Sequence, residues 1–227
     1  MRQETFEEFL TGWDAYSRRA HQRIPLFDPD KSGCLLSIQK KYFVKLFWHA
    51  RAYFINFLWF LGNYAPGASQ KEKVLAHIID EFGADTLSHD QLYLNFAKNL
   101  NVDLKNEILQ QSSYLPFLKT YNQKHLSWLY AHDWESRLCS FAAYERLDNI
   151  DYADLLKLVK AWKIPRRGRV FFEIHARAEH YTMVNEGDVE RIWKKNPKKV
   201  KEAFLFIGHH QLSMWRQLSR KVLLYRP

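Results

Sequence analysis

Sulfur is nearly absent from this chain: of 227 residues only Cys34 and Cys139 are cysteine, far apart and outside any paired motif. That excludes a disulfide framework and a zinc–thiolate site, and it suits a reducing, cytoplasmic setting. Glycine (8) and proline (7) are also sparse, which excludes collagen-like and linker-like chains. Long hydrophobic runs are missing. The most apolar stretch, Ala52 to Tyr64, is too short to cross a bilayer and follows His49 and Arg51. The first residues, Met1-Arg2-Gln3-Glu4-Thr5, hold no apolar export core. No membrane role is expected. Hairpin signals and repeats of 20–50 residues are absent as well.

What the chain does have is apolar mass: 47% hydrophobic and 16% aromatic residues, enough for a packed helical core. The formal charge of +9 raises nucleic acid as a partner. Lys and Arg are spread along the chain, however, apart from runs at Arg166 to Arg169 and Lys194 to Lys201, as solvated helix faces require. No nucleic acid is expected. Apolar spacing predicts helices over about 4–23, 37–63, 70–82, 88–100, 118–146, 152–162, 170–185 and 198–224, with a short helix after Asn101-Val102-Asp103, a segment beginning at Asp188 to Trp193 that Pro197 interrupts, and a turn at Asn149-Ile150-Asp151. The expected architecture is all-α, seven to nine helices, in one domain over 1–227: an N-terminal helix and link over 1–34 and a core over 35–215. The helix over 37–63, apolar almost all round in its second half, is the expected centre.

Acidic and imidazole groups recur in apolar surroundings. Glu81 closes the helix holding Ile78-Ile79-Asp80, and His89 opens the next. Glu145 follows Ala142-Ala143, small residues that let helices approach closely. In Phe171-Phe172-Glu173-Ile174-His175-Ala176-Arg177-Ala178-Glu179, His175 and Glu179 stand one turn apart on one face and can grip one ion. Each has an ordinary explanation when taken alone. Glu81 suits a solvated helix end, His89 a packing position, Glu145 an ion pair with Arg146, and His175–Glu179 a surface contact. Together they point to a metal, because a carboxylate buried without a cation is unfavourable by roughly several kcal/mol.

The order Glu81–Gly83–loop–His89, then an Ala-rich helix with Glu145, then Phe-Phe-x-x-His-x-x-x-Glu, resembles the haem-oxygenase-like diiron oxidases and oxygenases. That group includes the CADD-like, iron-containing redox enzymes and shares its fold with TenA and PqqC proteins. The resemblance spans roughly residues 35–215 and implies a bundle of about seven core helices around two irons. The ligands it implies are Glu81, His89, Glu145, His175 and Glu179, with Glu145 and His175 carrying the chemistry and O2 as co-substrate. The implied substrate is a small carboxylate-bearing metabolite, foremost an amino acid, undergoing N-oxygenation or oxidative C–C cleavage to an alkene or nitrile. An external electron donor and a homodimer are compatible with it.

One position departs. The family pattern places a histidine seven residues after His175, where this chain has Thr182. His180 lies about 140° round the helix from His175, and Glu186 returns to the same face within about 20°. His180, Glu186, His209 or His210 are the substitutes, or the second iron is labile. His77 is an outer partner of the same site. For the substrate carboxylate the candidates are Arg51, Arg146 and Arg177. Phe141 and Phe172, with Phe54, Phe57, Trp59 and Leu138, are candidate walls. Two other readings stay open: a metal-free TenA- or PqqC-like enzyme working by acid–base or cysteine chemistry, and a non-catalytic helical interaction protein.

Overall fold

The computed structural model describes residues 4–83, 86–177 and 186–226. The described residues form helices and no strand. In chain order these are α1 (Phe6–His21), α2 (Pro29–Gly33), α3 (Ser37–Arg51), α4 (Phe54–Tyr64), α5 (Ala68–Glu81) and α6 (His89–Asn99). They continue with α7 (Lys105–Gln110), α8 (Pro116–Ala131), α9 (Trp134–Ala161), α10 (Val170–Arg177), α11 (Glu186–Lys195) and α12 (Pro197–Leu223).

The central element is α9, not the expected helix over 37–63. Its 28 residues span about 42 Å, and it packs along α12 on one side and α10 on another. Cys139, Ala142, Ala143, Leu147 and Leu155 along it are fully buried. Its first half belongs to an apolar cluster with α1, α4, α5 and α11, its second half to a cluster with α3, α6 and α10. The polar residues Glu145, Asp148 and Tyr152 follow one another at spacings of three and four residues, which places them on one stripe, and Asp151 lies beside it toward α12.

Two breaks fall elsewhere than expected. The helix over 37–63 is two helices, tightened at Ala52–Tyr53 where Asn56 N–H donates to Tyr53 O at 3.0 Å in an i→i+3 bond. No glycine or proline marks that bend. The stretch 118–146 breaks at His132–Asp133, because Asp133 caps α9: its Oδ1 accepts from Ser136 N–H at 2.9 Å. In turn Asn149-Ile150-Asp151 makes no kink. Asp151 is buried and accepts from the Trp215 indole at 2.5 Å and the Gln211 amide at 2.7 Å, so the helix runs on against α12. These breaks, with short α2, raise the helix count of the described residues above the seven to nine expected, and the short helix expected after Asn101-Val102-Asp103 is α7.

At the N-terminus, a capping box between Thr5 and Glu8 starts α1. Phe9 of α1 stacks on Trp193 of α11 at 5.0 Å, and the Trp13 indole donates to Phe204 O of α12 at 3.2 Å. At its other end, buried His21 has Nε2 2.9 Å from Asp151 Oδ1 and Nδ1 3.5 Å from Asp154 Oδ2. Burial lowers the His21 pKa, but Asp151 and Asp154 outweigh it and raise it from 6.5 to about 9. The imidazolium therefore stabilises the fold fully below about pH 6.5, and that contribution is lost as pH rises through about 9. Urea unfolding measured against pH should show stability falling across that window, and His21→Gln should flatten the fall while costing about 3 kcal/mol at pH 6. A wild-type curve that is flat from pH 6.5 to 9 contradicts this role.

Candidate metal centre

Two local signals bring Glu81 and His89 together. Gly83 ends α5 with φ +82°, and a Cβ added there would meet Leu87 O at 2.5 Å, so only glycine turns the chain this way without strain. Ser88 then opens α6 with a capping box: its Oγ accepts from Gln91 N–H at 3.2 Å, and Gln91 Oε1 accepts from Ser88 N–H at 2.9 Å. The result sets His89 Nδ1 2.9 Å from Glu81 Oε1, with His89 buried and Glu81 half-buried. α10 supplies the third group. The His175 ring lies 4.5 Å from that of His89 and stacks on Tyr152 of α9 at 4.3 Å. His175 Nδ1 donates to Phe171 O at 2.6 Å; a carbonyl only accepts, so Nδ1 carries the proton and Nε2 the lone pair.

One donor atom from each of Glu81, His89 and His175 lies within 4.8 Å of the others. Two donors about 2.1 Å from one ion and at right angles lie about 3 Å apart, which is the Glu81–His89 spacing. Against Glu81 and His175 of this trio opens a cavity of about 30 Å³. Four carboxyl groups line it (Asp80, Glu81, Glu145 and Asp148) with the imidazoles of His77 and His175, and among the described residues Arg51 is the one guanidinium or ammonium in the lining. Arg51 is 8% exposed, donates to Asp90 Oδ1 at 2.6 Å, lies 3.9 Å from Glu81 Oε2 and sits over the Phe171 ring at 5.1 Å. Burial pushes the Glu145 carboxyl well above the usual carboxylate range, and Glu81 and Asp80 push it the same way. Burial likewise raises Asp148, helped by Glu145 and Asp151. Glu145 and Asp148 are therefore held toward their neutral forms, and a cation bound beside them would favour their ionisation.

Comparison with known proteins places this geometry. The sequence model of a family described as iron-containing redox enzymes matches residues 41–204. The chain belongs to that family. Its fold is the haem-oxygenase-like bundle: a crystal structure at 2.00 Å of a CADD-like protein of unknown function from Nostoc punctiforme PCC 73102 superposes with a TM-score of 0.70. That match has 16% identity and covers 94% of this chain and 99% of the other. A second structure of that protein, at 1.35 Å, gives a TM-score of 0.67 at 16% identity, over 93% and 96%. No curated protein matches in sequence.

The donor set fits the iron that the family's description names. Two imidazoles and a carboxylate, with carboxylates nearby, suit iron(II) rather than copper(I) or a thiolate-bound zinc. Glu81, His89 and His175 would hold the ion, and binding would displace the proton between Glu81 and His89.

Of the other sequence candidates, Glu145 reaches the cavity wall, 3% exposed, but stands apart from the three-donor group. His77 also lines the cavity. Glu179, His180 and Thr182 lie outside the described residues, and so does the side chain of Glu186. His209 and His210 do not reach the cavity. His209 is exposed near Tyr16, and His210 Nε2 donates to Tyr121 O at 2.9 Å on the α8 side of the bundle. Arg146 is turned away: it makes two bonds to Asp14 of α1, at 2.8 and 2.9 Å, because one residue beyond Glu145 is about 100° round the helix. Arg177 is exposed at the end of α10. Phe172 is fully buried edge-on to Phe96 and lines no cavity here, whereas Phe54 lines the metal cavity. Phe57 packs against His125 with the rings tilted, and Trp59 is half exposed. Burial pushes the Cys139 thiol up to about 12, which removes it as a nucleophile.

Asp80, Asp148 and Tyr152 were missed. The last two stand three and seven residues after Glu145, so the helical stripe would have found them. Because burial, Glu81 and Asp80 disfavour the ionised form of Glu145, Glu145→Gln should raise the melting midpoint of metal-free protein, most at alkaline pH where the wild-type carboxyl must ionise. About 1 kcal/mol corresponds to about 3 °C in a chain of this size. The same variant should bind iron(II) at least tenfold more weakly. A lower metal-free midpoint with unchanged affinity would contradict the charge account.

Proposed function

We propose that this protein is a non-haem iron oxidase or oxygenase, with two irons when fully loaded, that uses O2 on a small carboxylate-bearing metabolite, foremost an amino acid. The observation that carries the reading is the convergence of Glu81, His89 and His175 from three helices within 4.8 Å, beside a carboxylate-rich cavity. In this reading Glu145 and Glu179 complete the ligand set, and the position near Glu145 and Asp148 is the weaker of the two. Iron, when bound, supplies the one-electron reactivity toward O2 that no side chain here possesses.

The chain's own residues divide the remaining work. His175 is held in one tautomer by Phe171 O and in one plane by the Tyr152 ring, so its Nε2 is preorganised. Arg51 fixes α6 through Asp90 and balances part of the carboxylate charge without closing the cavity. Phe54 and Tyr144 wall the cavity against bulk water, which protects a reactive oxidant from side reactions. Glu145, whose carboxyl favours its neutral form in the metal-free chain, would give up that proton on joining the ligand set. An external donor would supply electrons beyond those of the substrate.

Anaerobic titration with iron(II), followed by admission of O2 in an oxygen electrode, tests this. One to two irons per chain and iron-dependent O2 uptake are expected, with both lost in His175→Ala and Glu81→Ala. Absence of iron binding, or O2 uptake unchanged in those variants, contradicts the reading.

A further inference from the structure

A second, larger cavity of about 230 Å³ lies between α4, α5, the start of α9 and α11. Leu61, Val74, Trp134, Leu138, Phe141 and Ile192 give it an apolar wall, and Lys73, Arg191 and Lys195 stand in its lining. We propose that it is the binding site for an organic acid with an apolar body, held by its carboxylate at the cations and presenting its apolar end toward the metal centre. The proposal rests on the metal reading above.

Connection comes first. His77 lines both this cavity and the smaller one, with its ring edge-on to Phe141 at 5.0 Å. It stands one helical turn before Glu81 on α5, so a molecule lying against Phe141 ends one side chain from the metal donors. Charge comes second. Asp188 is shared by two cations, Lys73 at 2.9 Å and Arg191. Glu135, the other carboxylate in the lining, is 2.9 Å from Lys199. Lys195 has no carboxylate partner among the described residues and is exposed. The rim is therefore net positive and attracts an anion, while the depth is apolar and repels one; only an amphipathic acid satisfies both ends. Size comes third. At about 230 Å³ the cavity has room for an aromatic or branched acid of amino-acid size. Arg51, Arg146 and Arg177, the cations favoured by the sequence, do not line this cavity.

Calorimetric titration of the chain, metal-free and anaerobically loaded with iron(II), with 3-phenylpropanoate and with phenethylamine tests the site. The acid should bind, and the amine at least tenfold more weakly. Lys195→Glu should weaken the acid at least tenfold. Leu138→Trp, which fills the cavity from its wall, should abolish binding, with iron stoichiometry and melting midpoint unchanged in both variants. Equal binding of acid and amine, or acid binding that survives Leu138→Trp, overturns the proposal. Iron binding without acid binding also overturns it and leaves the metal reading intact. Acid binding in a chain that takes no iron supports the site and removes the metal reading instead.

Discussion

Four carboxyl groups crowded against one guanidinium, among the described residues, are the constraint on which the centre of this protein depends. Asp80 and Glu81 end α5, Glu145 and Asp148 sit mid-α9, and Arg51 reaches in from the end of α3. Packing alone would not choose this arrangement, since apolar side chains of the same volume would be at least as stable there. A cation resolves the conflict, and the nearby pair of imidazoles narrows which cation fits. The chain belongs to a family of iron-containing redox enzymes, and iron is a cation that this donor set suits.

The scaffold holds that charge by rigid means. A left-handed glycine and a capping box fix the Glu81–His89 turn, and aromatic contacts from Phe171 and Tyr152 hold the His175 ring. The carboxylate stripe continues past the cavity: Asp148 accepts from Gln211, which also donates to Asp151, and Asp151 meets Trp215 and His21. Position along α9 thus decides each acid's role, facing a cavity at one end and a buried imidazolium at the other.

Much of this was legible in the residues. Amphipathic spacing marked most helices, and the order Glu81, His89, Glu145, His175 marked the elements that carry the donors and the cavity wall. What escaped had no local signature. The bend at Ala52–Tyr53 uses neither glycine nor proline, and Asn149-Ile150-Asp151 looks like a turn until α12 supplies partners for Asp151. Asp133 was readable as a cap but sat inside a stretch of helical spacing. Arg146 was misplaced because adjacency to Glu145 in sequence means divergence on a helix, and its Asp14 partner lies 132 residues away. Lys73, Arg191 and Lys195 come from two helices distant in sequence, and only the packing of α11 near α5 and α9 makes them neighbours.

The most direct test is crystallographic. Crystals soaked anaerobically with iron(II) and measured at the iron absorption edge should show anomalous density within bonding distance, about 2.0–2.2 Å, of Glu81, His89 and His175. Anomalous density that lies elsewhere, or none at that trio in crystals shown to contain iron, would contradict a metal centre at this place in the fold.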